Sequence, residues 1–124
     1  MSISDYLELK ILQEVFNNTD FSPVGTVYAS LHTADPGETG TAEVTGGTYA
    51  RQTAAFTTGT AGTCSNSGTI SWANMPAGTV VGVGLWDTDT SGNFLWGGTL
   101  TASKVTNLGD TFQIAPGDLD ITLD

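Results

Sequence analysis

Residues 79–96 decide the fold: Thr79-Val80-Val81-Gly82-Val83-Gly84-Leu85-Trp86-Asp87-Thr88-Asp89-Thr90-Ser91-Gly92-Asn93-Phe94-Leu95-Trp96. Two runs of β-branched, aliphatic and aromatic residues, 79–87 and 94–100, flank a polar segment of Asp, Thr, Ser, Gly and Asn. Such apolar side chains suit a pleated, half-buried surface. Asp and Ser bond the local backbone and Gly takes positive φ, so the polar segment reads as a turn. The stretch therefore predicts an antiparallel hairpin.

The same punctuation continues on both sides. Further strands are expected near 25–32, 50–57, 69–72, 111–114 and 119–123, each bounded by Gly, Pro, Asn or Asp. In the first, Val27, Ala29 and Leu31 point one way and Tyr28, Ser30 and His32 the other. A long loop, 33–47, carries the turn formers Asp35-Pro36-Gly37 and Gly46-Gly47. Residues 57–67 are so rich in Thr, Gly, Ala and Ser that they read as a mobile loop or one ordered by a partner. Closely spaced short strands, without a second helix to serve as a parallel crossover, predict an all-β fold: an antiparallel β-sandwich or jelly-roll-like domain.

Ahead of Pro23 the period changes. Leu7, Ile11 and Val15 recur every four residues, and Leu12 and Phe16 continue an adjacent row, opposite Glu8, Lys10, Gln13 and Glu14. This predicts one amphipathic helix within residues 2–18, capped by Ser2 or Ser4 and stopped at Asn17-Asn18-Thr19-Asp20. A helix this short is marginal alone, so it must lie on its own sheet or on a neighbour. The expected organisation is an N-terminal docking or packing arm, 1–20, followed by one sandwich domain, 21–124.

Charged residues make up 13% of the 124, against about a quarter in ordinary globular domains. Thirteen acids face only Lys10, Arg51 and Lys104, for a net charge of −10. No basic stripe can neutralise a run of phosphates, so neither nucleic acid nor an anionic membrane is an expected partner. The N-terminus lacks the basic start of a signal peptide and no run is long enough to span a bilayer, so synthesis and folding in a cytosol are expected. The single cysteine, Cys64, permits no internal disulfide and reads as a small apolar residue.

Candidates for chemistry are sparse. His32 is the sole histidine, and no Ser sits in a G-x-S-x-G elbow, so a structural role outweighs a general base. Glu38, Glu43, Asp87 and Asp89 all fall in loops or at strand ends, where acids are usually solvated. Asp87-Thr88-Asp89-Thr90-Ser91-Gly92 opens like an EF-hand loop, but position twelve is Gly98 where a bidentate Glu is required. A plain turn explains it better. Trp86 and Trp96 flank one hairpin and are expected as a cross-strand pair more than, with Trp72, as a platform for sugars. Arg51 is expected to pair with a carboxylate. No catalytic, cofactor-binding or metal-binding residue is assigned and no enzymatic activity is expected. The candidates for contact with a partner are Leu7, Ile11 and Val15 on the helix, Asp35 and Glu38 in the long loop, and Arg51.

Several stretches form a recognisable set: Ser4-Asp5-Tyr6-Leu7-Glu8-Leu9-Lys10-Ile11-Leu12, Leu31-His32-Thr33-Ala34-Asp35-Pro36-Gly37-Glu38, Glu43-Val44-Thr45-Gly46-Gly47-Thr48-Tyr49-Ala50-Arg51-Gln52, Asn93-Phe94-Leu95-Trp96-Gly97-Gly98, and Gly117-Asp118-Leu119-Asp120. Over nearly its whole length the chain resembles a family of small tailed-phage virion proteins labelled tail fiber proteins. The resemblance implies a structural protein located in the virion. An acidic chain would be repelled from packed DNA, and a surface of Thr, Ser and Gly suits a lattice contact. The first expectation is therefore a cement or decoration protein on the outer face of the head, a homotrimer bound to the major capsid protein. The alternative is a tail-fiber or baseplate component with a receptor-binding tip formed by the 33–47 or 87–93 loop, and the third a carbohydrate-binding module.

Overall fold

The computed structural model describes residues 2–123. Its order is β1 (Ser2–Ile3), α1 (Asp5–Phe16), β2 (Val27–His32), β3 (Gln52–Ala54), β4 (Phe56–Thr58), β5 (Thr63–Asn66), β6 (Ile70–Met75), β7 (Gly78–Trp86), β8 (Phe94–Thr106), β9 (Asp110–Ile114) and β10 (Asp120–Thr122). The pairings between these strands are all antiparallel. A five-stranded sheet runs β1-β8-β7-β2-β3, and two smaller sheets, β10-β5-β4 and β6-β9, form the second layer. The all-β sandwich read from the sequence is the fold observed.

Period-2 alternation builds the core. Ala29 and Leu31 of β2 lie beside Leu85 and Val83 of β7, and Leu85 faces Trp96 of β8. These side chains meet Ile70, Trp72 and Met75 of β6, Ile114 of β9 and Leu119 from the opposite layer. Removing so much apolar surface from water is the main stabilising term, on the order of 25 cal/mol per Å².

Four local expectations change. Residues 50–57 form two strands, broken at Ala55, because the chain leaves the large sheet as β3 and enters the small one as β4, turning a corner of the sandwich. Residues 57–67 are a hairpin and not an open loop: β4 pairs with β5, and β10 covers the other edge of β5. Ala61 and Gly62, both at positive φ, make its turn. β8 runs on to Thr106, past the expected end at 100, and accommodates its extra residues in a bulge between Gly82↔Thr99 and Val80↔Lys104. Finally, Ser2 and Ile3 pair with Gly97 and Trp96 as a short edge strand, so the helix starts only at Asp5.

Ser4 marks that change of structure. Its hydroxyl caps α1 by accepting from the Leu7 amide at 3.2 Å and donates to the Phe94 carbonyl at 2.5 Å, while its own amide donates to the Leu95 carbonyl. Asp5 and Glu8 in the first turn complement the helix dipole. The apolar stripe is only partly seated. Leu7 and Ile11 are half-buried, but Leu12, Val15 and Phe16 are 53%, 64% and 76% exposed. No described helix is long and apolar enough to cross a membrane.

Candidate functional site

The second face of the large sheet carries Ser30, His32, Gly82, Gly84, Trp86, Phe94 and Gly97, and the 33–47 loop roofs it. A Cβ on Gly84 would come within 2.6 Å of the Phe94 ring and 2.8 Å of both His32 Nε2 and Ser30 Oγ. A Cβ on Gly40, in the roof, would strike the rings of Trp86 and Phe94. Glycine at these places lets loop and sheet close on one another. Pro36 is buried in the roof, its carbonyl accepting from the Gly40 and Thr41 amides, and Asp35 Oδ1 accepts from the Gly37 amide at 2.9 Å.

His32 is fully buried beneath this roof. The Thr41 carbonyl, 2.7 Å from Nδ1, can only accept, so Nδ1 carries the proton. Nε2 then accepts from Ser30 Oγ at 2.6 Å, and Ser30 Oγ accepts from Trp86 Nε1 at 2.8 Å. Burial holds the imidazole below its ordinary pKa, with Arg51 adding repulsion and the Thr41 bond and Glu43 pulling the other way. The Ser–His contact has the spacing of a nucleophile and base. Here the hydroxyl is sealed in and already engaged on both sides. His32 belongs to a hydrogen-bonded interior, and no local pattern marks which loop covers its face.

Arg51 locks the roof. Its Nε and Nη2 donate to the two Glu43 oxygens at 3.0 and 2.9 Å, its Nη1 donates to the Thr88 and Ser91 carbonyls at 3.1 and 2.8 Å, and its guanidinium stacks 3.7 Å from the Trp86 ring centre. The expected carboxylate pairing is present, and the same side chain ties the 33–47 loop to the 87–93 turn. Tyr49 completes the clamp, donating to Glu43 Oε1 and accepting from the Leu31 amide, with burial pushing its phenol above the ordinary value. The two loops singled out as candidate binding tips thus form one surface, with a groove of about 430 Å³ between Glu43, Tyr49, Arg51, Asp89, Thr90 and Ser91.

The remaining candidates fall elsewhere. Both Asp87 oxygens accept from Asn93, through its amide at 2.7 Å and its side chain at 2.8 Å, which is the bonding of a turn. No group of three or more potential metal ligands occurs among the described residues. Trp86 and Trp96 are not a pair. A bulge sets Trp86 opposite Phe94, edge-on at 5.0 Å, whereas Trp96 faces Leu85 on the core side of the sheet. Trp72 is buried against Phe112, so all three indoles lie inside the fold and none offers an open face to a sugar. Cys64 is half-buried in β5, where desolvation raises its thiol pKa. Glu38 stays exposed and accepts from Ser2 Oγ at 2.8 Å, which places the Asp35–Glu38 turn beside β1.

Fold and site define a small antiparallel sandwich protein with clamped loops, an acidic surface and a partly unseated apolar helix. The model of the family described as podophage GP4 fiber I protein gp80 matches residues 2–122, and the chain belongs to that family. It is accordingly a structural protein of a phage virion, as the resemblance implied. No curated protein matches the chain.

Proposed function

We propose that the chain is a fiber component of a tailed-phage particle that works by docking onto other virion proteins, without turning over a substrate. The family match, which spans the sandwich and its helix alike, carries this reading. The geometry agrees with it: the groups that could do acid–base chemistry, Ser30 and His32, are sealed under the roof, while Leu9, Leu12, Val15 and Phe16 leave an exposed apolar stretch on α1. The family description speaks of a fiber and offers nothing for a head-decoration role, so the tail-fiber alternative is preferred to the cement reading. Cryo-electron microscopy of intact particles tests this. Density for the sandwich at the tail, in a copy number matching tail symmetry, is the expected result; a lattice of copies over the head would overturn it in favour of decoration.

A further inference from the structure

Two edge strands of the sandwich do not meet. β1 pairs only with β8 at the margin of the large sheet, and β10 pairs only with β5 at the margin of the small one. Between them runs a groove of about 510 Å³ walled by Ser2 and Ile3, by Glu8, Ile11 and Leu12 of α1, and by Thr122 and Leu123. Ile3, Thr122 and Leu123 also line a second, almost wholly apolar cavity of about 170 Å³ that reaches inward to Phe56, Leu95 and Trp96. The groove is therefore the open mouth of the core, left at a seam where the two layers are not joined by a strand. Leu12 and Leu123 stand at its rim, 53% and 51% exposed.

Charge selects the occupant. No Lys or Arg lines either cavity, Glu8 is on the wall, and Glu38 is bonded to Ser2 at the edge. Of the fixed cations, Arg51 is held by Glu43 and Lys10 lies over the Tyr6 ring. A second copy docked through the same patch would set one acidic rim against another, on chains that each carry −10. An exposed strand edge recruits an extended segment by main-chain hydrogen bonds, with side-chain pockets selecting alternate residues.

We infer that the seam between β1 and β10 is an acceptor groove for an extended apolar segment, flanked by Lys or Arg, of another virion protein. This rests on the docking reading above and adds the surface and the chemistry of the partner.

Particles carrying a benzophenone photocrosslinker at Leu12 provide the test, beside particles made with the double variant Leu12→Asp, Leu123→Asp and with Glu8→Lys. The cross-link is expected to join the chain to an apolar, base-flanked segment of a different virion protein. Placing unpaired carboxylates against apolar surface should cut incorporation by about tenfold or more. Both altered leucines are surface-exposed, so the melting temperature should hold; if it falls, Glu8→Lys, which leaves the apolar lining intact, carries the same reading. Cross-linking to a second copy or to an acidic segment, or undiminished incorporation of the variants, would overturn the inference while leaving the virion role intact. Absence of the unaltered chain from particles would instead overturn the docking reading itself.

Discussion

The two faces of the five-stranded sheet are closed by different physics. On one, Ala29, Leu31, Val83, Leu85 and Trp96 pack against the second layer, and burial of apolar surface does the work. On the other, Ser30, His32 and Trp86 form a hydrogen-bonded chain beneath a loop held by one guanidinium. Contacts on the first face are many and interchangeable within limits of volume, whereas contacts on the second are few, directional and mutually dependent. The second face is accordingly the more sensitive to charge, pH and single atoms, and it is the one that positions the accessible loops.

Substitutions on either side can break this contrast. Leu31→Ala, at a fully buried core position, is expected to cost about 3 kcal/mol by urea denaturation, from lost transfer energy and a cavity. Arg51→Ala should cost about 2 kcal/mol by leaving Glu43 partly desolvated and unpaired. It should also free the 33–47 and 87–93 loops together, seen as parallel loss of hydrogen-exchange protection; release of one loop alone would show that the clamp is not shared. Gly84→Ala, which forces a methyl into Phe94, His32 and Ser30, should cost about 1 to 2 kcal/mol, with chemical-shift changes on the polar face and few on the core face.

Acid sharpens the contrast further. Because burial lowers the folded-state pKa of His32, the unfolded chain takes up the proton first, so this contribution is complete above the ordinary value of 6.5 and is lost as pH falls from there toward the folded pKa. The decline cannot exceed about 1.4 kcal/mol per pH unit for one group. Thermal melts between pH 7 and 5 should show it in the natural chain and show a flatter profile in His32→Gln; equal slopes would place the titration elsewhere. The smallest effect is expected from Phe16→Ser, at 76% exposure on α1, which should shift stability by no more than about 0.5 kcal/mol.

Much of the architecture is legible in the sequence because its signals are local. The alternation Val27, Ala29, Leu31 against Tyr28, Ser30, His32 predicts the facing of β2, and the turn chemistry of 87–93 predicts its hairpin. The 57–67 hairpin was hidden because its strands are short and rich in small polar residues, and they are held by neighbours far along the chain, as Ile121 beside Cys64 shows. The register of Trp86 was hidden for a similar reason: a single bulge, invisible in composition, sets it opposite Phe94 where the register of Leu85 with Trp96 would have set it opposite Leu95. Of the six candidate partner contacts, Arg51 is turned inward to Glu43, whereas Ile11 lines the β1–β10 seam and Glu38 lies at its edge.

An antiparallel all-β chain with an amphipathic N-terminal helix and a strongly acidic composition follows from the order of residues alone, because periodicity, turn chemistry and charge are local properties of the chain. The roof over His32, the joining of two loops by Arg51 and the seam that β1 and β10 leave beside Leu12 emerge only when the chain is folded. Arg51 meets Thr88 and Ser91 from 37 and 40 positions away, and Ser2 meets Leu123 across almost the whole chain; no local pattern encodes which distant segment fills a face or leaves it open.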